Sequence, residues 1–316
     1  IAGGRQIERT TPLGRTTAYS FARDTADTLQ RTTTFPSGLV AAESRSRKEV
    51  GTVSLPDGTL ITTERAGDPR FRMQAPILSS QTERLPSGLS RLTQRARTAT
   101  LSNPQDPLSL LAWTESTTIN GKTWTRTYDA PTRTEVLTSP LGRSTTNVYD
   151  SASRLIQQTI EGDFPVALTY DAFGRLETST QDARITTRAY GPDGLLATVT
   201  DPILQTTAFT RNARGDVTVE TRPDLEQTLF GYDGEQHTST VTPPDRPTHS
   251  MTFGVFDLLT NYDPPPLTGG PTPTTYSYDL DRNLDTVLQP GPRLLEYGYD
   301  DAGRLETVTF PGGLLE

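Results

Sequence analysis

Apolar side chains occur along this chain in segments of about five or six residues, separated by turns rich in Pro, Gly and Asp. In residues 305–310, Leu305 shares one face of the segment with two threonines, and Val308 and Phe310 share the other face with Glu306. Because successive side chains of a strand point to opposite faces, neither face is strictly apolar. No window shows the i, i+3, i+4, i+7 spacing of an amphipathic helix. The pattern predicts an all-β chain whose sheet is exposed to solvent on both faces.

The segments recur at a fixed period in the second half of the chain. The pattern Tyr-Asp-x-x-Gly-Arg-Leu occurs at residues 170–176 and again at residues 299–305. Successive copies start 20 or 21 residues apart, except for one interval of 25 residues. A regular period of this length indicates a repeat protein. The first residues of the copies, which we take as anchors, are Tyr128, Tyr149, Tyr170, Tyr190, Arg211 (by register only), Tyr232, Phe253, Tyr278 and Tyr299.

Each repeat is expected to contain a turn that begins with Asp. Asp171 opens a four-residue turn ending at Gly174, and these are the residue types that type I turns prefer at those positions. The Asp171 carboxylate can accept backbone N–H groups two residues further on. Gly174 in the left-handed region lets the chain rejoin the sheet as a bulged hairpin. The other positions expected to hold the repeat together are Arg175, Leu176, Gly194, Gly215, Asp279, Asp300, Gly303, Arg304 and Leu305.

The first 127 residues carry the same turn sequences with less regular spacing. Residues 12–15 and 140–143 are both Pro-Leu-Gly-Arg, and 9 residues separate each of these prolines from the aromatic residue that follows, Phe21 or Tyr149. We therefore expect divergent repeats over residues 1–127 that continue into the regular part.

Regular repeats are expected over residues 128–316. The 25-residue interval contains a Pro- and Gly-rich insertion at residues 263–271, which is expected to form a surface loop, and residues 101–112 are expected to hold a longer connection. The sequence opens at Ile1 without a leader and stops at Glu316 shortly after a turn sequence. We therefore expect it to be a fragment of a longer chain.

Several anchors belong to aromatic doublets at a spacing of two residues, which a strand places on one face. We expect the anchor rings to stack on the equivalent aromatics of neighbouring repeats, adding about 0.5–1.5 kcal/mol for each good pair. The alternative role for such rows is a sugar-stacking platform. The doublets are Phe230/Tyr232, Tyr276/Tyr278 and Tyr297/Tyr299.

The composition supports a thin sheet. The hydrophobic fraction is 32%, below the roughly 45–50% of ordinary globular domains, so the chain is too polar to fill a thick apolar core. Intrinsic disorder is the competing interpretation, and the regular aromatic anchors argue against it. A net charge of −8 disfavours nucleic acid as a partner. The absence of cysteine excludes disulfides and thiolate metal sites, and no apolar run reaches the roughly 20 residues of a membrane span.

Candidate chemistry is sparse. His237 and His249 are the only histidines, no Gly-x-Ser-x-Gly sequence accompanies them, and we expect both to be exposed. The alternating acidic residues at 279–285 resemble a calcium loop, but Leu284 and Pro290 stand where that loop needs Gly and Glu. We therefore expect no catalytic residue, no metal and no cofactor.

The Tyr-Asp-x-x-Gly-Arg-Leu pattern at this period resembles the YD-repeat, or RHS-repeat, family. The resemblance is best at residues 170–176 and 299–305, covers residues 128–316 well and residues 1–127 loosely. It implies repeated β-hairpins in a spiralling, curved sheet, as an open shell or a short barrel segment. Family members form shells around a toxic polypeptide in bacterial toxin complexes, and a related barrel occurs in the cell-adhesion teneurins. The family's aspartate-based self-cleavage sequence has no counterpart here.

By this resemblance the expected function is a non-enzymatic scaffold: a wall segment that encloses or presents a polypeptide cargo such as a toxin, secreted or at the bacterial cell surface. The expected partners are that cargo or adjoining repeats of the parent chain. A cell-surface adhesion or carbohydrate-binding module is the alternative, and an enzyme built on the sheet ranks last. Edge-to-edge self-association stays open, because an unpaired edge strand is a template for pairing.

Overall fold

The structure is a computed structural model that describes residues 4–47, 49–265, 273–291 and 293–313. Within these ranges the chain is all-β, with 27 strands in one sheet. The single helical segment of the described residues is one turn of 3₁₀ helix at Val255–Asp257. The predicted fold class, an all-β chain of repeated hairpins, is confirmed.

The chain divides into two compact units, of which the first comprises residues 1–10, 16–169 and 180–182. Each strand of this unit pairs antiparallel with the next strand in sequence. Its strands are β1 (Arg5–Thr10), β2 (Thr16–Arg23), β3 (Leu29–Thr34), β4 (Val40–Arg45), β5 (Val50–Ser54), β6 (Leu60–Asp68), β7 (Arg72–Arg84), β8 (Ser90–Leu101), β9 (Leu110–Ile119), β10 (Lys122–Asp129), β11 (Thr134–Thr138), β12 (Ser144–Tyr149), β13 (Leu155–Ile160) and β14 (Val166–Tyr170, whose last residue belongs to the second unit).

The second unit comprises residues 11–15, 170–179 and 183–316. From β16 onward its strands also pair antiparallel in sequence order. Its strands are β15 (Leu176–Gln181, whose last two residues belong to the first unit), β16 (Arg184–Tyr190), β17 (Leu196–Thr200), β18 (Thr206–Arg211), β19 (Val217–Thr221), β20 (Gln227–Tyr232), β21 (Thr238–Thr242), β22 (His249–Phe253), β23 (Leu259–Asp263), β24 (Thr274–Tyr278), β25 (Leu284–Gln289), β26 (Arg293–Tyr299) and β27 (Leu305–Thr309).

Three strands of the first unit are unusually long. Strands β7, β8 and β9 contain 13, 12 and 10 residues, longer than the segments that the sequence predicts. The expected longer connection is confirmed at residues 102–109, between β8 and β9. The predicted insertion lies largely outside the described residues, because residues 266–272 are not among them. The expectations about Ile1 and Glu316 lie outside them as well.

A bulge accompanies most of the anchors. In seven hairpins the strand register shifts by one residue between the anchor and the residue before it, as the predicted turn requires. The shifts occur at Val148/Tyr149, Ala189/Tyr190, Thr210/Arg211, Gly231/Tyr232, Thr252/Phe253, Ser277/Tyr278 and Gly298/Tyr299.

Few side chains are buried. Among the described residues the only buried apolar side chain is Val287, and the buried polar side chains are Thr59, Asp68, Glu135 and Asn147. Most other strand residues are half-buried or exposed on both faces. The sheet therefore lacks a thick apolar core of its own, and polar contacts between neighbouring hairpins must supply much of its stability.

Candidate functional site

The turn that follows the anchor is closed by its aspartate. Asp171 Oδ1 accepts hydrogen bonds of 2.9 Å from the backbone N–H groups of Phe173 and Arg175, and Asp171 Oδ2 accepts one of 2.7 Å from Arg175 Nε. The same contacts join Asp300 to Ala302 and Arg304. Hydrogen bonds from the backbone and guanidinium of Arg304 lower the pKa of Asp300. We call this five-residue unit the Asp turn.

Other residues replace the Asp–Arg pair in several copies of the Asp turn. The fifth position pairs with the first in each: Asp279 with Asn283 at 2.9 Å, Asp233 with His237 at 2.9 Å, and Asn212 with Asp216 at 3.0 Å. These copies share a side-chain bond across the turn, which several polar pairs can form.

The fourth position of the Asp turn requires a left-handed backbone. The predicted glycines at this position all have positive φ: Gly174 at 81°, Gly194 at 83°, Gly215 at 96° and Gly303 at 78°. Ser153, Gln236 and Arg282 occupy the same position with φ of 61°, 75° and 68°. Because left-handed backbone strains any side chain with a Cβ, those three copies of the turn are strained.

Changing Gly174 to valine is expected to destabilise the protein by about 1–2 kcal/mol or more, because a β-branched residue tolerates this conformation least. The reciprocal change Gln236→Gly is expected to stabilise it by about 1 kcal/mol. Urea unfolding of both variants checks the pair. A Gly174→Val protein that unfolds at the wild-type midpoint would show that the turn relaxes to another conformation.

The anchor tyrosines bond to the preceding repeat. Tyr190 Oη donates a hydrogen bond of 2.8 Å to the carbonyl oxygen of Leu176, the leucine that ends the Tyr-Asp-x-x-Gly-Arg-Leu pattern of the repeat before. The Arg175 guanidinium lies 4.3 Å from the centre of the Tyr190 ring. Three further anchors donate to the equivalent carbonyls at 2.8 Å, namely Tyr232 to Val217, Tyr278 to Leu259 and Tyr299 to Leu284.

Arg211 takes the place of a tyrosine in this scheme. Its guanidinium donates to the carbonyl oxygen of Leu196 at 3.3 and 3.4 Å and to that of Gly215 at 2.8 Å. Arg211, identified as an anchor by register alone, therefore makes the same kind of bond to the preceding repeat.

The expected stacking between anchor rings is wrong. In the part of the chain that the structure describes, the stacked ring pairs are Trp113–Tyr128, His237–Phe253 and His249–Tyr262, and none joins two anchors. Successive anchors lie two strands apart, which is about 9–10 Å at a strand spacing of 4.7–4.9 Å. Stacked rings need centroid distances of about 4.5–7 Å, so hydroxyl and guanidinium groups bridge the interval instead.

The Tyr278→Phe variant is expected to lose about 1 kcal/mol of unfolding free energy, the usual net value of one hydrogen bond. Tyr276→Phe is the matched control, since Tyr276 lies two residues earlier on the same strand and makes no hydroxyl bond within the described residues. Thermal unfolding compares the stability of the two variants. If both lost the same unfolding free energy, the hydrogen bond to the carbonyl would not explain why a tyrosine occupies the anchor position.

A row of charged residues crosses β6 and β8 to β11 in the first unit. Arg97 contacts Asp68 at 3.0 Å and Glu115 at 2.5 Å. Burial disfavours the charged form of Asp68, but backbone N–H groups and Arg97 outweigh it, so the pKa of Asp68 is lowered. Arg126 contacts Glu135 at 2.5 Å. We call Asp68, Arg97, Glu115, Arg126 and Glu135 the charged ladder.

Glu135 is one of two buried carboxylates of the charged ladder, with 6% of its side chain exposed against 4% for Asp68. Besides Arg126, it accepts hydrogen bonds from Asn147 Nδ2 at 3.3 Å and from the Tyr149 hydroxyl at 3.1 Å. Burial, and then the charge of Glu135, raise the pKa of Tyr149. Cross-strand register places Tyr128, Glu135 and Asn147 opposite one another on β10, β11 and β12. The sequence alone gave no sign of this network, because the strand register was unknown.

A shallow groove of about 290 Å³ runs beside the charged ladder. Its lining includes Glu115, Trp124, Arg126, Leu137 and Arg143. Trp124 and Leu137 are 41% and 38% exposed, so the groove combines an accessible indole with charged groups.

The prediction that both histidines are exposed is wrong. His237 is half-buried, with Nδ1 at 2.9 Å from Asp233 and Nε2 at 3.2 Å from Asp257, and its ring stacks on Phe253 at 4.5 Å. His249 Nδ1 lies 2.7 Å from the Tyr262 hydroxyl. The turn that holds His237 lies beside the next turn, so this imidazole contacts Phe253 and Asp257. His249 and Tyr262 lie on the paired strands β22 and β23. The hydrogen bond to Asp233 is the main cause that raises the pKa of His237, and Asp257 and Glu235 add to it.

The contribution of His237 to stability is expected to depend on pH. A raised pKa means that the stabilisation is fully present below the unfolded value of about 6.5 and is lost as the pH rises through the folded value. The melting-temperature difference between wild type and His237→Asn should therefore shrink as the pH rises from about 6 through the folded pKa of His237. His237→Arg, which copies the Asp–Arg pairs, should remove this pH dependence, and a constant difference for His237→Asn would contradict the ion pair.

A turn from the start of the chain is bound in the second unit. Asp281 Oδ2 accepts hydrogen bonds from Arg15 Nη1 at 2.7 Å and from the Thr11 hydroxyl at 2.8 Å, and Asp281 Oδ1 accepts one of 3.1 Å from the Leu13 N–H. The Asp281 side chain is 7% exposed, and 266 residues separate it from Arg15. The acidic alternation at residues 279–285 thus serves an Asp turn and this long-range contact.

The described residues contain no group of three side chains placed to hold a metal ion. No helix within those residues is long and apolar enough to cross a membrane.

Comparison with known proteins gives one family and several similar folds. The family model described as Teneurin YD-shell matches residues 10–316. No protein of curated function matches the chain. Among solved structures, the TcdB2-TccC3-Cdc42 complex matches at 15% identity and a TM-score of 0.45, covering 96% of this chain and 21% of that chain. A Photorhabdus luminescens Tc holotoxin pore matches at 14% identity and a TM-score of 0.43, with 96% and 21% covered. The chain thus spans about a fifth of the length of those chains.

Proposed function

Because the chain belongs to the Teneurin YD-shell family, a family of structural scaffolds, we propose that it is a non-enzymatic wall segment of a shell that encloses a polypeptide cargo such as a toxin. The observation that carries this proposal is the sheet without a thick core, in which one apolar side chain of the described residues is buried. A sheet with two accessible faces is suited to separating an interior from an exterior, whereas a compact enzyme or binding domain buries one face.

The contacts between hairpins support the same proposal. Anchors such as Tyr190, Arg211 and Tyr232 bond to a carbonyl of the preceding repeat, and polar pairs such as Asp171–Arg175 close most of the turns that follow the anchors. Stability that depends on nearest neighbours suits a wall of variable length. We assign the anchors this structural role, with divergent repeats over residues 1–127 and regular repeats over residues 128–316. A secreted or cell-surface location, in a bacterium, and a place within a longer parent chain belong to the same proposal.

The test uses the absence of cysteine in the chain. Single cysteines at Thr145 and Thr146 place thiols on opposite faces of β12 at two half-buried positions. In the complete polypeptide that carries this segment, a polymer-linked maleimide should label one position and leave the other unlabelled until denaturant is added. Equal labelling of both faces in the native protein would contradict an enclosing wall.

The groove favours a second candidate, a carbohydrate-binding adhesion module. Trp124 is an accessible ring, and Glu115 and Arg126 beside it can bond hydroxyl groups. Binding of the purified chain to immobilised glycans, lost in Trp124→Ala at an unchanged melting temperature, would support this candidate over the wall. Failure to bind any glycan would remove it.

A further inference from the structure

Two turns of this chain share sequence and geometry. Residues 11–15 are Thr-Pro-Leu-Gly-Arg and residues 139–143 are Ser-Pro-Leu-Gly-Arg. In the first turn Thr11 N donates to Arg15 O at 3.0 Å and Gly14 N to Thr11 O at 2.9 Å. In the second, Ser139 N donates to Arg143 O and Gly142 N to Ser139 O, each at 2.9 Å. Both glycines have a φ of 83°.

The hydroxyl groups that begin the two turns are oriented alike. Thr11 Oγ1 accepts the Arg15 N–H at 3.2 Å, and Ser139 Oγ accepts the Arg143 N–H at 3.1 Å. With its oxygen already accepting, the Thr11 hydroxyl donates its proton to Asp281. The Ser139 hydroxyl oxygen also accepts from its own turn, which leaves its proton to donate to a ligand.

The first turn shows what this geometry binds. A single carboxylate, Asp281, takes a hydroxyl, a backbone N–H and a guanidinium N–H from the turn at 2.7 to 3.1 Å. The aspartate is itself held in an Asp turn, because its N–H donates to Asp279 Oδ1 at 2.8 Å. Leu13 is 45% exposed in this docked state, and its backbone N–H donates to Asp281.

The second turn offers the same donors to solvent. Leu141 is 84% exposed, nearly twice the exposure of Leu13, and Arg143 is exposed. No carboxylate among the described residues forms an ion pair with Arg143. Glu115, which lines the same groove, is bound by Arg97 at 2.5 Å.

We propose that the turn at residues 139–143 is a docking site for an acidic hairpin turn of a partner, one that presents an aspartate as Asp281 is presented at residues 279–283. The carboxylate is bound by Arg143, the Ser139 hydroxyl and the Leu141 N–H, and the hairpin covers the exposed Leu141 side chain. The fit follows from the occupied copy in the same chain and from charge complementarity. The site does not depend on the proposed enclosure of cargo.

The experiment uses the full chain and a fluorescent cyclised hairpin peptide that carries residues 275–288, the two strands of that hairpin and its turn. Fluorescence anisotropy is expected to show binding with a dissociation constant of about 0.1–1 mM, as befits one small turn. The Arg143→Gln change in the protein should weaken binding by about tenfold, and so should asparagine in place of Asp281 in the peptide. Arg184→Gln is the matched control, an exposed arginine at the start of β16, and should leave binding unchanged.

Four results would overturn the proposal. These are no binding at peptide concentrations up to about 5 mM, equal binding by the Arg143→Gln protein, equal binding of the asparagine peptide, and displacement of the peptide by acetate at equal concentration, which would reduce the site to a simple anion contact. Sedimentation of the chain alone provides a further check. Self-association that Arg143→Gln abolishes would identify a second copy as the occupant and would also overturn the proposal.

Discussion

Replacing Arg126 by glutamine is expected to lower the free energy of unfolding by about 2–3 kcal/mol. Glu135 is 6% exposed and forms its ion pair with Arg126, so the variant leaves a buried carboxylate without a cation. Removing one partner of a fully buried ion pair costs about 3–5 kcal/mol. The value expected here is smaller because half of the Arg126 side chain is exposed to water. Urea unfolding of the purified chain measures the loss.

Arg304→Gln is the matched control for that experiment. Arg304 also pairs with a carboxylate, Asp300, at 2.7 Å, but 69% of its side chain is exposed. Exposed ion pairs contribute little to stability, so this variant should unfold close to the wild-type midpoint. If both arginine variants lost the same stability, burial of Glu135 would not be the source of the effect.

Replacing Asp281 by alanine is expected to release the turn at residues 11–15. The Asp281 carboxylate accepts three hydrogen bonds from this turn, from donors at least 266 residues away in the sequence. No other carboxylate of the described residues accepts a hydrogen bond from these three donors. The backbone amide of Leu13 should exchange with deuterium at least about tenfold faster, because its acceptor is gone. The melting temperature should fall as well.

Asp301→Ala is the control for this second experiment. Asp301 is exposed in the next Asp turn and accepts no hydrogen bond within the described residues. Exchange at Leu13 should be unchanged in that variant. Protection of Leu13 that survives the loss of Asp281 would show that the turn is held by some other contact.

Much of the fold could be predicted because residues close together in the sequence specify each repeat. The Asp171 and Gly174 positions specify a turn through contacts within five residues, and Tyr190 lies one period after Tyr170. Such features depend on spacing along the chain alone. The strand order followed from the same fact, since hairpins in series pair neighbour with neighbour.

The polar contacts across the sheet could not be predicted in the same way. Glu135 meets Arg126 and Asn147 only once the register of β10, β11 and β12 is fixed, and a shift of one residue would place it on the opposite face. The expected ring stacking failed for a related reason, because the spacing between equivalent strands exceeds the reach of two rings. Asp281 has its partner at the other end of the sequence, where no local pattern points to it.

Calorimetry can show whether this chain folds as a sheet without a thick apolar core. The heat-capacity change of unfolding rises with the apolar surface that unfolding exposes. Ordinary globular domains give about 12–15 cal/mol/K per residue. With Val287 as the one buried apolar side chain of the described residues, the heat-capacity change of unfolding is expected to be clearly below that range. A value within the range would mean that the chain buries an ordinary apolar core, which would contradict the wall-like sheet.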